Sequence, residues 1–236
     1  NNFDIDEKYI TEAENILLGM KDAGINIYNS TLMREYDYND ILLANSLVDL
    51  SSLTKLRDKL SLGCSSISSW GESTEDCLEL SGDVLITRHL DWEPLPSLLN
   101  NHQVVIHFPS EENEQPWIMI GFSGMIGALS GINNSNVSAF QNMGNKYSNA
   151  PTGNFYPIHF SIRNGLEMAD YNNDSICNVN DIAEAITSKT QSAPFIIHTI
   201  DNNLNEPEII ECNYENGNTI RKQEDNTVIQ GVNLVA

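Results

Sequence analysis

The first part of the chain places its apolar residues at helical spacing. Between residues 4 and 23 they fall on one face of a predicted helix: Ile5, Tyr9, Ile10, Ala13, Ile16, Leu17 and Met20. A period near 3.6 residues is typical of an amphipathic helix that packs on a core. Gly24 is suited to end this helix.

Two further helices are predicted before residue 63. The candidate caps are Asn39 or Asp40 for the second helix and Ser51 or Ser52 for the third, which would reach Leu60. Each of these side chains can accept a hydrogen bond from a free backbone N–H of a first helical turn. Residues 1–60 are therefore predicted to be mostly helical.

After Gly63 the pattern changes to short β-branched or aromatic runs that are separated by turn residues. These runs are CSSISSW, LELSGDVLITRHL, QVVIHF and PWIMIGF. Such runs are typical of strands, and we expect a sheet in this part of the chain.

Helical periodicity returns over residues 157–169 and 179–189, and strand-like runs follow in PFIIHTID, PEIIECNYE and residues 227–236. Helices and strands thus come in separate groups along the chain. This order favours an α+β fold with antiparallel sheets and helices on their outer faces.

Composition and charge restrict the class of protein. The 236 residues are 40% hydrophobic, which suits one compact domain. Lys and Arg total 12 against 33 Asp and Glu, a formal charge of −21 that disfavours nucleic acid and anionic lipid. No apolar run is long enough to span a bilayer. Because the chain opens with polar Asn1 and Asn2, as a processed product would, we expect a secreted or periplasmic protein.

The four cysteines do not have the spacing of a metal site. They are Cys64, Cys77, Cys177 and Cys212, and no two of them form a CxxC pair. Zinc is therefore not expected. A disulfide among the last three stays open, because sequence alone cannot select a pair.

Cys64 is the candidate nucleophile. It follows Gly63 directly, at the boundary between the helical leader and the first predicted strand. A cysteine attacks as the thiolate, which needs a base or a positive charge nearby. Cleavage of the Gly63–Cys64 bond would free an α-amine with a reference pKa of about 8, which could serve as that base.

The run TRHLDW supplies two complementary charges, Arg88 and Asp91. A hairpin from Cys64 would bring this run back beside the sulfur. Arg88 would then favour the thiolate, and Asp91 would accept a hydrogen bond from the α-ammonium. The alternative is an ordinary surface ion pair at a strand end.

These segments carry a resemblance to a known family. GCSSISSWGESTED and ITRHLDW resemble the opening and the RNLDW strand of the penicillin acyltransferase and choloylglycine hydrolase groups of N-terminal-nucleophile hydrolases. GFSGMIGALSGINNSNVSAFQN is similar to the family segment with a Gly-x-Asn turn and an oxyanion-hole asparagine. The resemblance implies that Asn133 lies at the turn and Asn142 at the oxyanion position. Simple turn formation is the alternative for both.

The resemblance also implies the fold and the reaction. It implies a four-layer αββα sandwich of two antiparallel sheets, with a leader over residues 1–63 and a catalytic domain over residues 64–236. It further implies self-cleavage at Gly63–Cys64 and hydrolysis of a linear amide without a cofactor. The partner would be a small acyl-amide substrate, and a homo-oligomer stays open.

Two departures from the family pattern concern the site. His89 stands where relatives usually have asparagine, which leaves a contact to substrate or to the cleavage site in question. The family pattern would also continue beyond GVNLVA into a segment with a further oxyanion asparagine, so a complete site is expected to need more residues. Trp92 follows the catalytic strand, with Leu95, Leu98 and Leu99, and either lines an acyl pocket or covers the core.

One loop has the ligand spacing of a calcium-binding hand. Positions one, three, five, nine and twelve of that loop would be Asp170, Asn172, Asp174, Asn178 and Asp181. Ser175 occupies the sixth position, where glycine normally permits the sharp turn. A polar loop capped by Asn178 or Asn180 is the simpler interpretation.

The sequence therefore predicts a cysteine amidase of the N-terminal-nucleophile class. Two alternatives stay open. One is an acyltransferase of the same family that passes the acyl group to an amine, and the other is a secreted binding module that keeps the fold without turnover. Product analysis with added amine separates the first from hydrolysis, and an intact Gly63–Cys64 bond would favour the second.

Overall fold

The structure is a computed structural model that describes residues 3–53, 63–92, 96–144, 151–201, 206–214, 217–222 and 234–235. Three sequence predictions fall outside these ranges. They are the end of the third helix near Leu60, most of the final strand over residues 227–236, and the position of Leu95.

The segment before Gly63 is mostly helical, as predicted. Its elements are α1 (Glu7–Asp22), the short strands β1 (Tyr28–Asn29) and β2 (Arg34–Glu35), α2 (Tyr38–Asn45) and α3 (Leu47–Leu53). The small β1–β2 hairpin was not predicted, since two-residue strands leave no hydrophobic period to read.

The predicted caps of the second helix were wrong. Asp37 is the cap, because its side chain accepts from the Asn39 N–H at 2.8 Å, while the Asp40 carboxylate accepts from the Asp37 N–H. This reciprocal arrangement is a capping box, and it places Asp40 inside the helix. The third helix likewise begins earlier than predicted, so Ser51 and Ser52 lie within it.

The described residues from Gly63 onward form two antiparallel sheets and two main helices. A three-stranded sheet has the order β12 (Leu234–Val235), β3 (Gly63–Ser69), β4 (Leu85–Asp91). A seven-stranded sheet runs through β11 (Thr219–Arg221), β10 (Glu206–Cys212), β9 (Phe195–Asp201), β8 (Val137–Met143), β7 (Ser130–Asn133), β6 (Trp117–Phe122) and β5 (His102–His107). The helices are α4 (Pro96–Leu99), α5 (Ile158–Glu167) and α6 (Val179–Thr187).

The two sheets stack face to face, with β3 over β8. An apolar cluster fills part of the space between them: Trp70, Val84, Ile86, Ile196, Ile200 and Ile209. Two polar contacts also cross this space, Ser66 to Asn142 and Ser68 to His198. The inner faces of the sheets are therefore apolar at one end and polar beside Cys64.

The helices α5 and α6 cover the other face of the seven-stranded sheet. This side holds the largest buried cluster, with Trp117, Met119, Val137, Ile162, Ile182 and Phe195 among its members. The prediction of an α+β fold with antiparallel sheets and helices on an outer face is confirmed. A helical layer on the outer face of the three-stranded sheet, which a complete αββα sandwich requires, stays a prediction.

The leader helix α1 packs on α5. The Tyr9 ring stacks on Phe160 with centroids 4.2 Å apart, and its hydroxyl donates to the Asn164 Oδ1. The buried Arg163 guanidinium also reaches Glu12 on α1 at 2.6 Å. The boundary between a leader and a catalytic domain at residue 63 stays a prediction. The residues on the two sides of this boundary share a buried interface between α1 and α5.

Candidate active site

Cys64 lies on the inner face of β3, close to the start of the strand. Side chains of a strand alternate between its two faces, so Cys64, Ser66 and Ser68 point towards the larger sheet. Burial follows this alternation, because Ser66 and Ser68 are buried and Ser65 is exposed. The sulfur is half-buried between the two sheets.

Arg88 contacts the sulfur directly. It lies on β4, where it pairs with Ser66 and therefore shares the inner face with Cys64. Its Nη2 donates to the Cys64 Sγ at 3.1 Å, and its Nε donates to the backbone carbonyl of Gln141 at 3.0 Å. The guanidinium is thus held on β8 by one hydrogen bond while it faces the thiol with another.

The pKa of the Cys64 thiol reflects two opposing effects. Burial raises it above the ordinary value, while the positive charge of Arg88 and backbone hydrogen bonds from Met143 and Asp91 lower it. Burial likewise lowers the pKa of Arg88, and the neighbouring Cys64 opposes this. An added base would therefore help to form the thiolate, and the freed α-amine of Cys64 could be that base.

Asp91 lies beside the predicted cleavage site. It pairs with Gly63 across the β3–β4 ladder, and an added Gly63 Cβ would stand 3.6 Å from the Asp91 Cβ. Its side chain points to the outer face, opposite to that of Cys64, and accepts a hydrogen bond from Ser65 at 3.4 Å. Asp91 therefore lies beside the backbone of Gly63, while Arg88 lies beside the Cys64 sulfur.

Asn142 lies across the space between the sheets, 4% exposed. Its Oδ1 accepts a hydrogen bond from the Ser66 hydroxyl at 3.0 Å. Its Nδ2 is buried and has no hydrogen-bond partner within the described part of the chain. The next residue, Met143, provides the backbone N–H near the Cys64 sulfur. The structure therefore brings Asn142 to the predicted site.

Asn133 has a different environment. Its Oδ1 accepts from the backbone N–H groups of Ser135 and Val137, which makes it the organiser of the β7–β8 turn. Val137 and Met143 are the two ends of β8, about 20 Å apart at ~3.3 Å per residue. The structure does not bring Asn133 to Cys64, so its predicted support of the oxyanion does not follow from this geometry.

The two remaining candidates lie within β4 and directly after it. His89 is exposed on the outer face of β4, where it pairs with Ser65. Trp92 is half-buried against the helix-side core, with its ring stacked on Phe122 at 6.0 Å between centroids. Trp92 therefore covers the core. Leu99 is exposed, so this geometry alone does not assign it to a pocket.

An apolar cavity of about 260 Å³ lies between the two sheets. Its lining includes Ile86, Ile118, Ile132 and Phe140. Ile86 precedes Arg88 by two residues on the inner face of β4, and Phe140 precedes Asn142 in the same way on β8. The cavity therefore begins about 7 Å from Arg88 along β4 and about 7 Å from Asn142 along β8.

The predicted calcium loop is closed by its own hydrogen bonds. Asp181 accepts from the N–H groups of Tyr171, Asn172 and Asn178, and Asp170 accepts from those of Asp174 and Ser175. Asn178 caps α6, as the simpler interpretation predicted. Among the described residues no cluster of three or more acidic, cysteine or histidine side chains could hold a metal ion. Calcium binding by this loop stays untested.

Sequence reasoning missed Ser66 and Gln141. Ser66 lies two residues after Cys64, so strand alternation alone would have placed it on the same face. Gln141 acts through its backbone carbonyl, which no residue type reveals.

All four cysteines are free in the structure. No described helix has the length and apolar character that a membrane crossing needs.

The chain is similar to known proteins both in sequence and in structure. No protein-family model matches the chain. Protein dcd1B of Dictyostelium discoideum is 24% identical over 153 residues, which are 65% of this chain and 26% of that protein. Among solved structures, the chain is similar to the Caenorhabditis elegans N-acylethanolamine-hydrolyzing acid amidase (NAAA) ortholog, with a TM-score of 0.46 and 19% identity over 66% of this chain and 63% of that chain. The chain thus spans about a quarter of the first protein and under two thirds of the second.

Proposed function

We propose that this chain carries the nucleophile of a cysteine N-terminal-nucleophile hydrolase that cleaves linear, non-peptide amides. The observation that supports this most strongly is the 3.1 Å contact between Arg88 Nη2 and Cys64 Sγ. It occurs on a hairpin that also pairs Asp91 with Gly63. A cation beside the sulfur and a carboxylate beside the future chain terminus are the two charges that this chemistry requires.

The first proposed step is self-cleavage. The Cys64 sulfur attacks the carbonyl carbon of Gly63, and the Gly63–Cys64 C–N bond breaks as a thioester forms. Water then hydrolyses the thioester, which leaves a Gly63 carboxylate, a free thiol and a free α-amine on Cys64. Asp91, which pairs with Gly63, is placed to accept a hydrogen bond from that amine once it is protonated.

Turnover repeats this chemistry on a substrate amide. The Cys64 thiolate attacks the carbonyl carbon, and the α-amine carries the proton from the thiol to the leaving amine. The negative oxygen of the tetrahedral intermediate would be stabilised by the Asn142 side chain and a backbone N–H. Water then releases the acid from the thioester. The Nδ2 of Asn142, which has no partner among the residues that the structure describes, supports this role.

The inter-sheet cavity supports an apolar acyl group in the substrate. Its described lining is mostly apolar, with five isoleucines and Phe140. One of these isoleucines, Ile86, lies on the same face of β4 as Arg88. Burial of such a group would contribute about 0.8 kcal/mol per methylene.

The test is amide hydrolysis by the purified protein and by its Cys64→Ala variant. A suitable panel includes an N-acylethanolamine, the class for which the similar amidase is named, and the coumarin amide of a medium-chain fatty acid. We expect release of the amine by the parent protein and none by Cys64→Ala. Cys77→Ala is the matched control, because Cys77 is also a free cysteine but is exposed. Hydrolysis that survives Cys64→Ala would remove the proposed nucleophile.

The acyltransferase alternative is tested in the same reaction. A primary amine is added in excess, and the products are separated by mass. Acid as the main product supports a hydrolase. A new amide as the main product would assign the same thioester intermediate to acyl transfer.

A further inference from the structure

Ser66 makes a buried hydrogen bond to Asn142. It follows Cys64 by two residues, lies on the same face of β3 and is 7% exposed. Its hydroxyl donates to the Asn142 Oδ1 at 3.0 Å across the space between the sheets. This is a buried contact between residues 76 positions apart, so it depends on the stacking of the two sheets.

A second hydrogen bond, from Arg88 to β8, joins the two sheets next to the Ser66–Asn142 contact. Ser66 pairs directly with Arg88 across the β3–β4 ladder. Arg88 donates to the Gln141 carbonyl, while Ser66 donates to the side chain of the next residue, Asn142. Two paired residues of the hairpin therefore hold two consecutive residues of β8. This arrangement fixes Asn142 relative to the Cys64 sulfur, which Arg88 also contacts.

The Ser66 hydroxyl holds one of the two polar atoms of the Asn142 amide, its Oδ1. A side-chain amide has an acceptor oxygen and a donor nitrogen of nearly equal size. With Oδ1 taken by Ser66, Nδ2 is left buried without a partner among the described residues. A buried donor in this state is unfavourable, and an arriving acceptor would supply the missing hydrogen bond. The reversed amide would instead present lone pairs to a developing negative oxygen.

We infer that Ser66 is a positioning residue for the proposed reaction: its hydroxyl orients the Asn142 amide so that Nδ2 faces the carbonyl oxygen of the substrate. The inference rests on the proposed amidase function, because it requires an oxyanion to form beside Cys64. Ser66 does not touch the substrate. It acts through Asn142, and it makes the donor available before the substrate arrives.

The test compares Ser66→Ala with Ser66→Thr, which keeps the hydroxyl, in hydrolysis of the fatty-acid coumarin amide. Removing one oxyanion donor typically costs about 100-fold or more in kcat. For Ser66→Ala, we expect kcat to fall by about 10- to 100-fold with KM nearly unchanged, because only the transition state gains charge on the oxygen. Ser66→Thr should restore most of kcat.

Ser68→Ala is the matched control. Ser68 is also buried on the same face of β3, but its hydroxyl contacts His198 at 2.9 Å. We expect Ser68→Ala to lower the melting temperature about as much as Ser66→Ala while keeping kcat. The double variant Ser66→Ala/Asn142→Ala should be no slower than Asn142→Ala alone, since both changes remove one interaction.

The outcomes separate the two levels of the hypothesis. Unchanged kcat in Ser66→Ala, an equal loss in Ser68→Ala, or losses that multiply in the double variant would overturn the role of Ser66 and leave the amidase intact. If the parent protein and Cys64→Ala are equally inactive on the whole panel, the proposed function fails and the inference fails with it.

Discussion

A buried arginine and a half-buried arginine in this protein have opposite surroundings. Arg163 joins the leader helix α1 to α5, where it donates to Glu12, Glu167 and the Ile126 carbonyl. Arg88 lies between the sheets and donates to a thiol and to a backbone carbonyl. Neither of these two partners of Arg88 carries a full negative charge while Cys64 is protonated.

The pKa values of the two guanidinium groups show what this difference means. Burial opposes the charge of Arg163, but the hydrogen bonds to Glu12 and Glu167 outweigh it and the pKa is raised. Burial lowers the pKa of Arg88, and Cys64 only partly opposes this. Arg163 is a neutralised structural charge. Arg88 keeps an attraction for a negative group that forms beside it, as a thiolate would.

The largest effect is expected at Arg163, on stability. Arg163→Met leaves Glu167 and Glu12 without their main partner, and loss of one member of a buried ion pair costs about 3–5 kcal/mol. Urea unfolding should show this loss. Arg221→Met is the control, since Arg221 pairs with Glu211 at a more exposed site and should cost less than about 1 kcal/mol. Equal losses in the two variants would contradict the structural role of Arg163.

At Arg88 the expected effect is on chemistry. Arg88→Gln removes the charge beside Cys64, so the thiolate fraction falls and iodoacetamide should modify Cys64 more slowly at pH 7. We expect amide turnover to fall about 100-fold, the size typical of losing one electrostatic contact in an active site. Arg34→Gln is the control, because Arg34 forms a surface pair with Asp40. Unchanged alkylation and turnover in Arg88→Gln would show that Arg88 has a structural role, as Arg163 does.

A buried carboxyl group, that of Asp49, extends the comparison to pH. Its Oδ1 accepts from the Ile158 N–H at the start of α5, and burial raises its pKa from 3.8 to about 8. Because the folded pKa lies above the unfolded one, the contribution to stability is complete below about pH 4 and is lost as pH rises towards 8. The free energy of unfolding should therefore fall by at most about 1.4 kcal/mol per pH unit from this group.

Asp49→Asn removes this titration and keeps the side-chain oxygen for Ile158. The difference in free energy of unfolding between the parent protein and the variant should change between pH 4 and pH 8, as measured by urea unfolding at each pH. A constant difference over that range would show that Asp49 does not titrate with the raised pKa.

The smallest effect is expected at a neutral cap. Asn178 accepts from the Asn180 N–H at 2.7 Å at the start of α6, and Asn178→Ala should cost about 1 kcal/mol. Asn180→Ala, at an exposed position, should cost less. Melting with and without added calcium chloride completes the test, because a calcium-bound loop would raise the melting temperature and make the effect of Asn178→Ala depend on calcium.

The sequence predicted best where the interactions are local. The helices α1, α5 and α6 follow from apolar periodicity. The contact of Arg88 with Cys64 and the pairing of Asp91 with Gly63 follow from one hairpin. The cap at Asp37 was missed because neighbouring polar residues compete for that role. The contacts of Ser66 and Gln141 could not be predicted, because they depend on how two sheets stack, which strand patterns do not specify.

The most direct test of the central claim is the intact mass of the purified protein. We expect two fragments, one ending at Gly63 and one beginning at Cys64, which elute together under native conditions because α1 and α5 share a buried interface. Cys64→Ala should give one uncut chain. A single chain in the parent protein, or cleavage that persists in Cys64→Ala, would contradict activation of Cys64 at a new chain terminus.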